Sequence, residues 1–99
     1  MKDEFISKVG VYGQMHYRYL KLNKPSVINV MRMKGTLKPY LDDVNDNAEE
    51  MLYQLVRQMA KDEGVNETLK RRDQLGWVQK MNSIRNRAEE IVLNEILYR

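Results

Sequence analysis

The stretch from residue 37 to residue 63 constrains the fold more than any other part of the chain. Its apolar residues fall within one narrow stripe at about 100° per residue, and acidic residues occupy the opposite face. The stripe contains Leu37, Leu41, Val44, Ala48, Met51, Leu52, Leu55 and Met59, and the acidic face contains Asp42, Asp43, Asp46, Glu49 and Glu50. Because one apolar face has to be covered by other elements, the pattern predicts a core helix with an acidic back.

Glycine and proline positions divide the rest of the chain. At Lys24-Pro25 one helix should end and another begin, since the residue before proline avoids helical geometry and proline suits a first turn. Gly35 and Gly64 have the position of C-terminal glycines, and Asn66 has that of an N-cap. A further break at Arg72-Asp73 stays open. The predicted helices cover residues 5–23, 26–34, 37–63, 66–72 and 73–98.

Strand signals are poor, because no period-two alternation persists and no Asn-Gly or Asp-Gly hairpin turn occurs. The 99 residues are enough for one hydrophobic core and too few for a second. We therefore predict an all-α fold, with residues 1–99 forming a single helical domain. Its expected architecture is a compact antiparallel bundle of three main helices plus one or two short helices.

Polar residues interrupt the apolar stripes of the first and last predicted helices. His16 lies near the middle of the first stripe, and Arg85 and Glu95 fall inside the last. Arg85 is expected to pair with Glu89 one turn on or with the acidic helix. His16 and Glu95 have the chemistry of an acid-base pair, but a buried histidine satisfied by a hydrogen bond is the commoner outcome. The prediction is a structural polar core made of His16, Arg85, Glu89 and Glu95.

Composition excludes several classes of function. The chain has no cysteine and one histidine, which excludes disulfides, thiolate metal sites and paired-histidine sites within one chain. The acidic face lacks the glycine-turned loop that binds calcium. No window approaches the roughly 18 apolar residues of a membrane span, and Met1-Lys2-Asp3-Glu4 does not begin a signal peptide. We expect a cytoplasmic protein with no membrane contact, no metal, no cofactor and no enzymatic activity.

The net charge of +3 is unevenly distributed. Residues 1–40 carry eight Lys or Arg against two acids, residues 41–66 carry two bases against seven acids, and the remainder carries seven bases against five acids. Attraction to DNA would therefore act through the first third of the chain, assisted by Lys70-Arg71-Arg72. The candidate nucleic-acid-binding residues are Arg18, Lys21, Lys24, Arg32, Lys34 and Lys38, with Tyr17 available to stack or to contact sugar.

The two helices around Gly35 resemble a helix-turn-helix in outline, but a recognition helix presenting Asp42, Asp43 and Asp46 would face phosphates with the wrong sign. Contacts to the DNA backbone, which position a protein without reading sequence, are the better expectation. The alternative is a protein-interaction surface. Methionines at 15, 31 and 33 either belong to the ordinary core, which is the commoner outcome, or exceed what one small core can cover. In the second case an uncovered apolar strip would drive self-association or partner binding.

The last helix also carries the most specific motif in the chain. The block Trp77-Val78-x-x-Met81-Asn82-Ser83-Ile84-Arg85-Asn86-Arg87-Ala88-Glu89-Glu90-Ile91-Val92 closely resembles the C-terminal signature of the TnpV family of transposon-encoded proteins. Further matches upstream are Tyr12-Gly13-x-Met15, Gly35-x-Leu37, Val56-Arg57-Gln58-Met59-Ala60 and Glu63-Gly64-Val65. The resemblance covers the chain from about Val9 onward and is interrupted between Leu22 and Met33, within the basic region.

This resemblance implies an accessory product of mobile elements in Gram-positive gut-type bacteria, commonly carried beside serine recombinases. It supplies no catalytic residues to carry over. Two hypotheses follow. The first is a non-enzymatic accessory or regulatory protein that binds the DNA of the element weakly through its basic first third. The alternative is a module that forms a homo-oligomer or binds a serine recombinase without contacting DNA.

Overall fold

The long helix predicted from the apolar stripe is the central helix of the structure. The computed structural model describes residues 4–98, and α3 spans Leu37–Asp62. Before it come a 3-10 helix, Glu4–Lys8, then α1, Val11–Asn23, and α2, Pro25–Lys34; after it come α4, Glu67–Arg72, α5, Gln74–Val92, and a π-helical turn, Leu93–Leu97. Residues 4–98 contain no strand, so the all-α prediction is confirmed.

Most helix ends follow the local signals in the sequence. Gly35 and Gly64 adopt left-handed backbone conformations, with φ of 71° and 68°, at the ends of α2 and α3. Asn66 caps α4 by accepting a hydrogen bond from the Leu69 N–H, and Asp73 caps α5 by accepting one from the Gly76 N–H. The Asp73 cap settles the open question at Arg72-Asp73, because α4 and α5 are separate helices.

The first helix begins later than predicted, since residues 5–23 are divided at Gly10. Gly10 has no side chain to cap α1, and the acceptor comes instead from α3. The backbone N–H groups of Tyr12 and Gly13 both donate to Asn45 Oδ1, over 3.0 and 3.1 Å. A Cβ on Gly10 would collide with the Asn45 side chain, so glycine is required where the two elements meet. Asn45 therefore caps α1 from a different helix.

Both long partners of α3 run antiparallel to it. Along α1, Tyr12 contacts Asn45 and His16 contacts Tyr40, so the residue numbers run in opposite directions. Val92 of α5 and Leu97 of the π-helical turn pack with Val44 and Ala48, whereas Arg87 of α5 pairs with Glu63. The 26-residue α3 is about 39 Å long at about 1.5 Å per residue, and the whole molecule measures 55 × 22 × 17 Å. The antiparallel bundle is thus an elongated one.

The two ends of the molecule differ in how many helices cover α3. We call residues 4–48 and 89–98 the head, where α1, α2 and the end of α5 surround the first half of α3. We call residues 49–88 the arm, in which the second half of α3 packs with α4 and most of α5. Ten apolar side chains are buried in the head: Val9, Tyr17, Leu20, Ile28, Leu37, Leu41, Val44, Ala48, Val92 and Leu97. Among the described residues of the arm, Val65, Ile84 and Ala88 are the buried ones.

Candidate nucleic-acid interface

The six candidate cations all lie at the outer end of the head. Arg18 and Lys21 project from α1 and Lys24 follows its last residue, while Arg32 and Lys34 belong to the last turn of α2 and Lys38 to the first turn of α3. The side chains of Arg18, Lys21, Lys24 and Lys34 are exposed, and Arg32 and Lys38 are half-buried. The helix connections therefore bring these six residues to the same end of the molecule, and we call the six together the basic face.

At least three of the six cations contact neighbouring side chains. The Lys38 ammonium lies 2.7 Å from the Asp42 carboxylate one turn further along α3, so part of its charge is offset. The Arg32 guanidinium donates to Asn29 Oδ1 over 3.0 Å. The Lys21 ammonium lies 5.4 Å from the centre of the Tyr17 ring. Tyr17 itself is only 8% exposed, so the prediction that its ring is available to stack on a base is wrong. Its ring is part of the head core instead.

The sequence around the basic face lacks acidic residues. From Phe5 to Leu41 the chain contains no aspartate or glutamate, and the first carboxylate met along α3 is that of Asp42. The acidic back of α3 then begins one turn below the basic face. In space a carboxylate from the C-terminal turn does come near, because Glu95 lines the same cleft as Lys24.

The second basic cluster is remote from the first. Lys70, Arg71 and Arg72 form the last turn of α4, which packs on the start of α5 at the far end of the arm. The Lys70 ammonium lies 4.7 Å from the centre of the Trp77 ring. Because most of α3, which is about 39 Å long in all, lies between this cluster and the basic face, the two cannot contact the same few phosphates.

His16 is buried at 4% exposure between α1, α3 and the C-terminal turn. Its Nδ1 lies 2.8 Å from the Leu97 carbonyl oxygen and its Nε2 lies 2.8 Å from the Tyr40 hydroxyl. A carbonyl oxygen can only accept, so Nδ1 carries the hydrogen and, in the neutral ring, Nε2 accepts from the Tyr40 O–H. Burial raises the pKa of Tyr40, which keeps that hydroxyl protonated as a donor. His16 thus ties three elements together.

The other three residues predicted for the polar core are exposed, and that part of the prediction is wrong. Arg85, Glu89 and Glu95 lie on α5 or the π-helical turn where no further helix covers them. The Glu89 carboxylate accepts a hydrogen bond from the Tyr12 hydroxyl over 3.2 Å. Burial and the Glu89 carboxylate together raise the pKa of Tyr12. Glu95 does not bind His16, because both ring nitrogens are occupied by Leu97 and Tyr40.

The polar groups around His16 are held by hydrogen bonds to one another. A cleft of about 370 Å³ lies beside His16 and includes Tyr40, Lys24 and Glu95 in its wall. The histidine in it already uses both nitrogens, and the tyrosine hydroxyl is occupied as its donor. Within residues 4–98 no group of three His, Cys, Asp or Glu side chains is placed to hold a metal ion. Nor is any helix of that range long and apolar enough to cross a bilayer.

Two structural roles were not predicted from the sequence: Asn45 as the cap of α1, and Glu63 with Arg87 as an ion pair. Arg87 donates two hydrogen bonds to the Glu63 carboxylate, at 2.8 and 3.0 Å, and so joins α5 to the end of α3. The hydrogen bond from Arg87 holds the pKa of Glu63 below its usual value. The signal that could have identified Asn45 is the absence of a capping side chain before Val11.

Comparison with known proteins gives one match. The family model described as "Transposon-encoded protein TnpV" matches residues 1–97. No curated protein matches the chain, and no solved structure does. The matched range includes the basic face, the acid-free stretch and the whole of α5. On this match, the chain belongs to the TnpV family of transposon-encoded proteins.

Proposed function

We infer that this protein is a non-enzymatic accessory or regulatory protein of its transposon that binds DNA through the basic face of the head. The observation that carries the proposal is the acid-free stretch from Phe5 to Leu41, folded into one end of the molecule with seven cations on it, six of which form the basic face. Binding the DNA of the element also implies that the protein works in the cytoplasm.

The contacts proposed are to phosphates. Lysine and arginine side chains on helix ends position a protein on the duplex without reading bases, and the buried Tyr17 offers no stacking platform. The non-enzymatic part of the proposal rests on His16, the one histidine, which serves as a packing link between three elements. Binding should be weak, because Lys38 is offset by Asp42 and the acidic back of α3 begins immediately below.

The test is the salt dependence of binding to a labelled duplex carrying an end of the element, followed by fluorescence anisotropy. Log affinity should fall with log salt by about 0.9 for each phosphate contact, so about four contacts predict a slope near −3.6 and a loss of about 100-fold between 50 and 200 mM salt. No detectable binding at low salt would overturn the proposal.

A pair of charge-matched variants localises the site. The first replaces Arg18, Lys21 and Lys34 by glutamine, and the second replaces Lys70, Arg71 and Arg72 by glutamine at the far end of the arm. Both lose three positive charges. We expect the first variant to reduce the slope by about 2.7 and the second to leave it unchanged. Equal effects of the two variants would mean that net charge alone, and not the basic face, attracts DNA.

A further inference from the structure

The outer side of α5 carries a row of exposed side chains that the fold itself does not use. At about 100° per residue the row lies opposite the buried Ile84 and Ala88, so it faces solvent. Its members recur at spacings of three or four residues and are all exposed: Leu75, Gln79, Asn82, Ser83 and Asn86. We call these five residues the outer stripe.

The amide groups of the outer stripe have no partner within the described part of the chain. Among residues 4–98, no hydrogen bond involves the side chains of its one glutamine and two asparagines. On α3, by contrast, Gln54 donates to Glu50 over 3.0 Å and Gln58 donates to Asp62 over 2.9 Å. Each amide offers a donor beside an acceptor. Three such groups on one side of α5 are therefore free to bind another molecule.

The charges around the outer stripe are positive over about four turns of helix. Residues 74–88 contain Lys80, Arg85 and Arg87 and no acid, and the two acids of α5 follow only after this range. Counted around the helix axis, Lys80 and Arg87 lie along one edge of the stripe and Arg85 lies along the other. Arg87 is also paired with Glu63. An anionic molecule is therefore the better match for this side of α5.

The side-chain types of the outer stripe match the major groove of duplex DNA. An asparagine or glutamine amide pairs with adenine through a donor and an acceptor at once, a serine hydroxyl pairs with several base edges, and an apolar side chain contacts the thymine methyl group. The groove is about 12 Å wide and admits an α-helix. From Leu75 to Asn86 the stripe is about 17 Å long, which is the length of about five base pairs.

A protein partner fits the same surface less well. The centre of a protein–protein interface is typically apolar and rich in aromatic residues. The outer stripe has one apolar residue, at its end, and no aromatic one. The aromatic residue of this part of α5 is Trp77, which projects from the opposite side, where the Lys70 ammonium lies 4.7 Å from the centre of its ring. Duplex DNA is therefore the occupant that the stripe favours.

We propose that the outer stripe of α5 lies in the major groove of duplex DNA and reads base edges, with Asn82 and Asn86 each recognising an adenine. The inference rests on the DNA binding proposed above and adds sequence recognition to it, because the basic face contacts phosphates alone. In this arrangement the basic face supplies affinity for any duplex, and the outer stripe selects the sequence at which the protein binds.

The test begins with a pool of randomised duplexes and the full chain, so that no target sequence has to be assumed. Repeated rounds of binding and amplification should enrich a short motif that contains adenine. Fluorescence anisotropy then compares the enriched duplex with a shuffled duplex of the same base composition. We expect the enriched duplex to bind more tightly than the shuffled one at the same salt concentration.

Single substitutions assign the recognition to the outer stripe. Asn82→Ala and Asn86→Ala should each weaken binding of the enriched duplex by about 5- to 150-fold, the range expected for one bidentate contact to a base. Neither should change binding of the shuffled duplex. Asn47→Ala is the matched control, because Asn47 is an exposed asparagine of α3, and it should leave binding of both duplexes unchanged. Circular dichroism of the three variants checks that each keeps its helical content.

The outcomes separate this inference from the proposed function. A pool that yields no enriched motif would overturn the inference, and so would variants at 82 and 86 that weaken binding of both duplexes equally or of neither. In each of these cases, salt-dependent binding of the shuffled duplex would leave the proposed phosphate contacts standing. If the proposed DNA binding itself fails, no duplex of either kind binds at low salt.

Discussion

Replacing Asn45 by alanine tests whether one side chain of α3 holds the start of α1 in place. The Asn45 oxygen accepts from the N–H groups of Tyr12 and Gly13, and the second of these bonds is buried. Gly10 packs against the same side chain and offers no cap of its own. Alanine would leave both N–H groups without this acceptor.

The expected cost can be estimated from the two lost bonds. Loss of an N-cap side chain destabilises a protein by about 0.5–2 kcal/mol. A buried N–H left without a partner costs about 1–3 kcal/mol. The two estimates overlap, so we expect Asn45→Ala to lower the free energy of unfolding by about 2–3 kcal/mol. In a domain of this size that corresponds to a fall of at least about 8 °C in the midpoint of thermal unfolding.

The assay is urea unfolding followed by far-ultraviolet circular dichroism, with the slope m compared between variants. Asn47→Ala is the matched control, because Asn47 is an exposed asparagine two residues further along α3. It should change the free energy of unfolding by less than about 0.5 kcal/mol. Asn45→Asp keeps an acceptor oxygen and should recover most of the loss, apart from repulsion by Glu49. A loss below about 0.5 kcal/mol for Asn45→Ala, or an equal loss for Asn45→Asp, would refute the capping argument.

Three further predictions concern other contacts. Gly13→Ala should destabilise the protein although alanine is the better helix former, because its Cβ would lie 2.7 Å from the Leu41 carbonyl oxygen; urea unfolding that shows a gain in stability would contradict this. Glu63 has a lowered pKa, so its contribution to stability is present above about pH 4.5 and is lost as pH falls through the folded-state value. Glu63→Gln should therefore lower the unfolding midpoint slightly at pH 7 and leave it unchanged in acid. Tyr12 and Tyr40 have raised pKa values, so an absorbance titration should show tyrosine ionisation above pH 10, and a single transition at 10 would argue against both burials.

Features that depend on neighbouring residues along the chain were predictable from the sequence. The glycines at 35 and 64 end helices because they adopt backbone conformations that other residues avoid, and Asp73 caps α5 because its carboxylate reaches the Gly76 N–H. The apolar stripe of α3 also gave its inner face correctly. The stripe could not show that α1 would be too short to cover the apolar face of the second half of α3.

The same limit explains the misplaced side chains. Helical spacing gives the direction of Arg85 and Glu95 relative to an apolar stripe, but not whether another element lies there to cover them. Tyr17 was predicted to be accessible beside the cations because they are close to it in the sequence. Its position around the axis of α1 instead directs the ring into the head core. Asn45 lies at the edge of the α3 stripe, where a polar residue is ordinary. Its importance depends on the approach of Gly10 and Gly13, which is a tertiary contact.

The cap on α1 has a consequence for the order in which a newly made chain acquires structure. During synthesis α1 leaves the ribosome before its capping residue, which lies 33 positions later than Tyr12, and an isolated helix of 13 residues is marginal in water. The hydrogen bond from His16 to the Leu97 carbonyl can form only later still, because Leu97 lies 81 positions further along the chain. Because α3 is made before α5, its contacts with α1, which join residues 24 and 33 positions apart, can form before the hairpin of α3 and α5. The part of the head that depends on the Leu97 carbonyl is therefore completed only after α5 has been made.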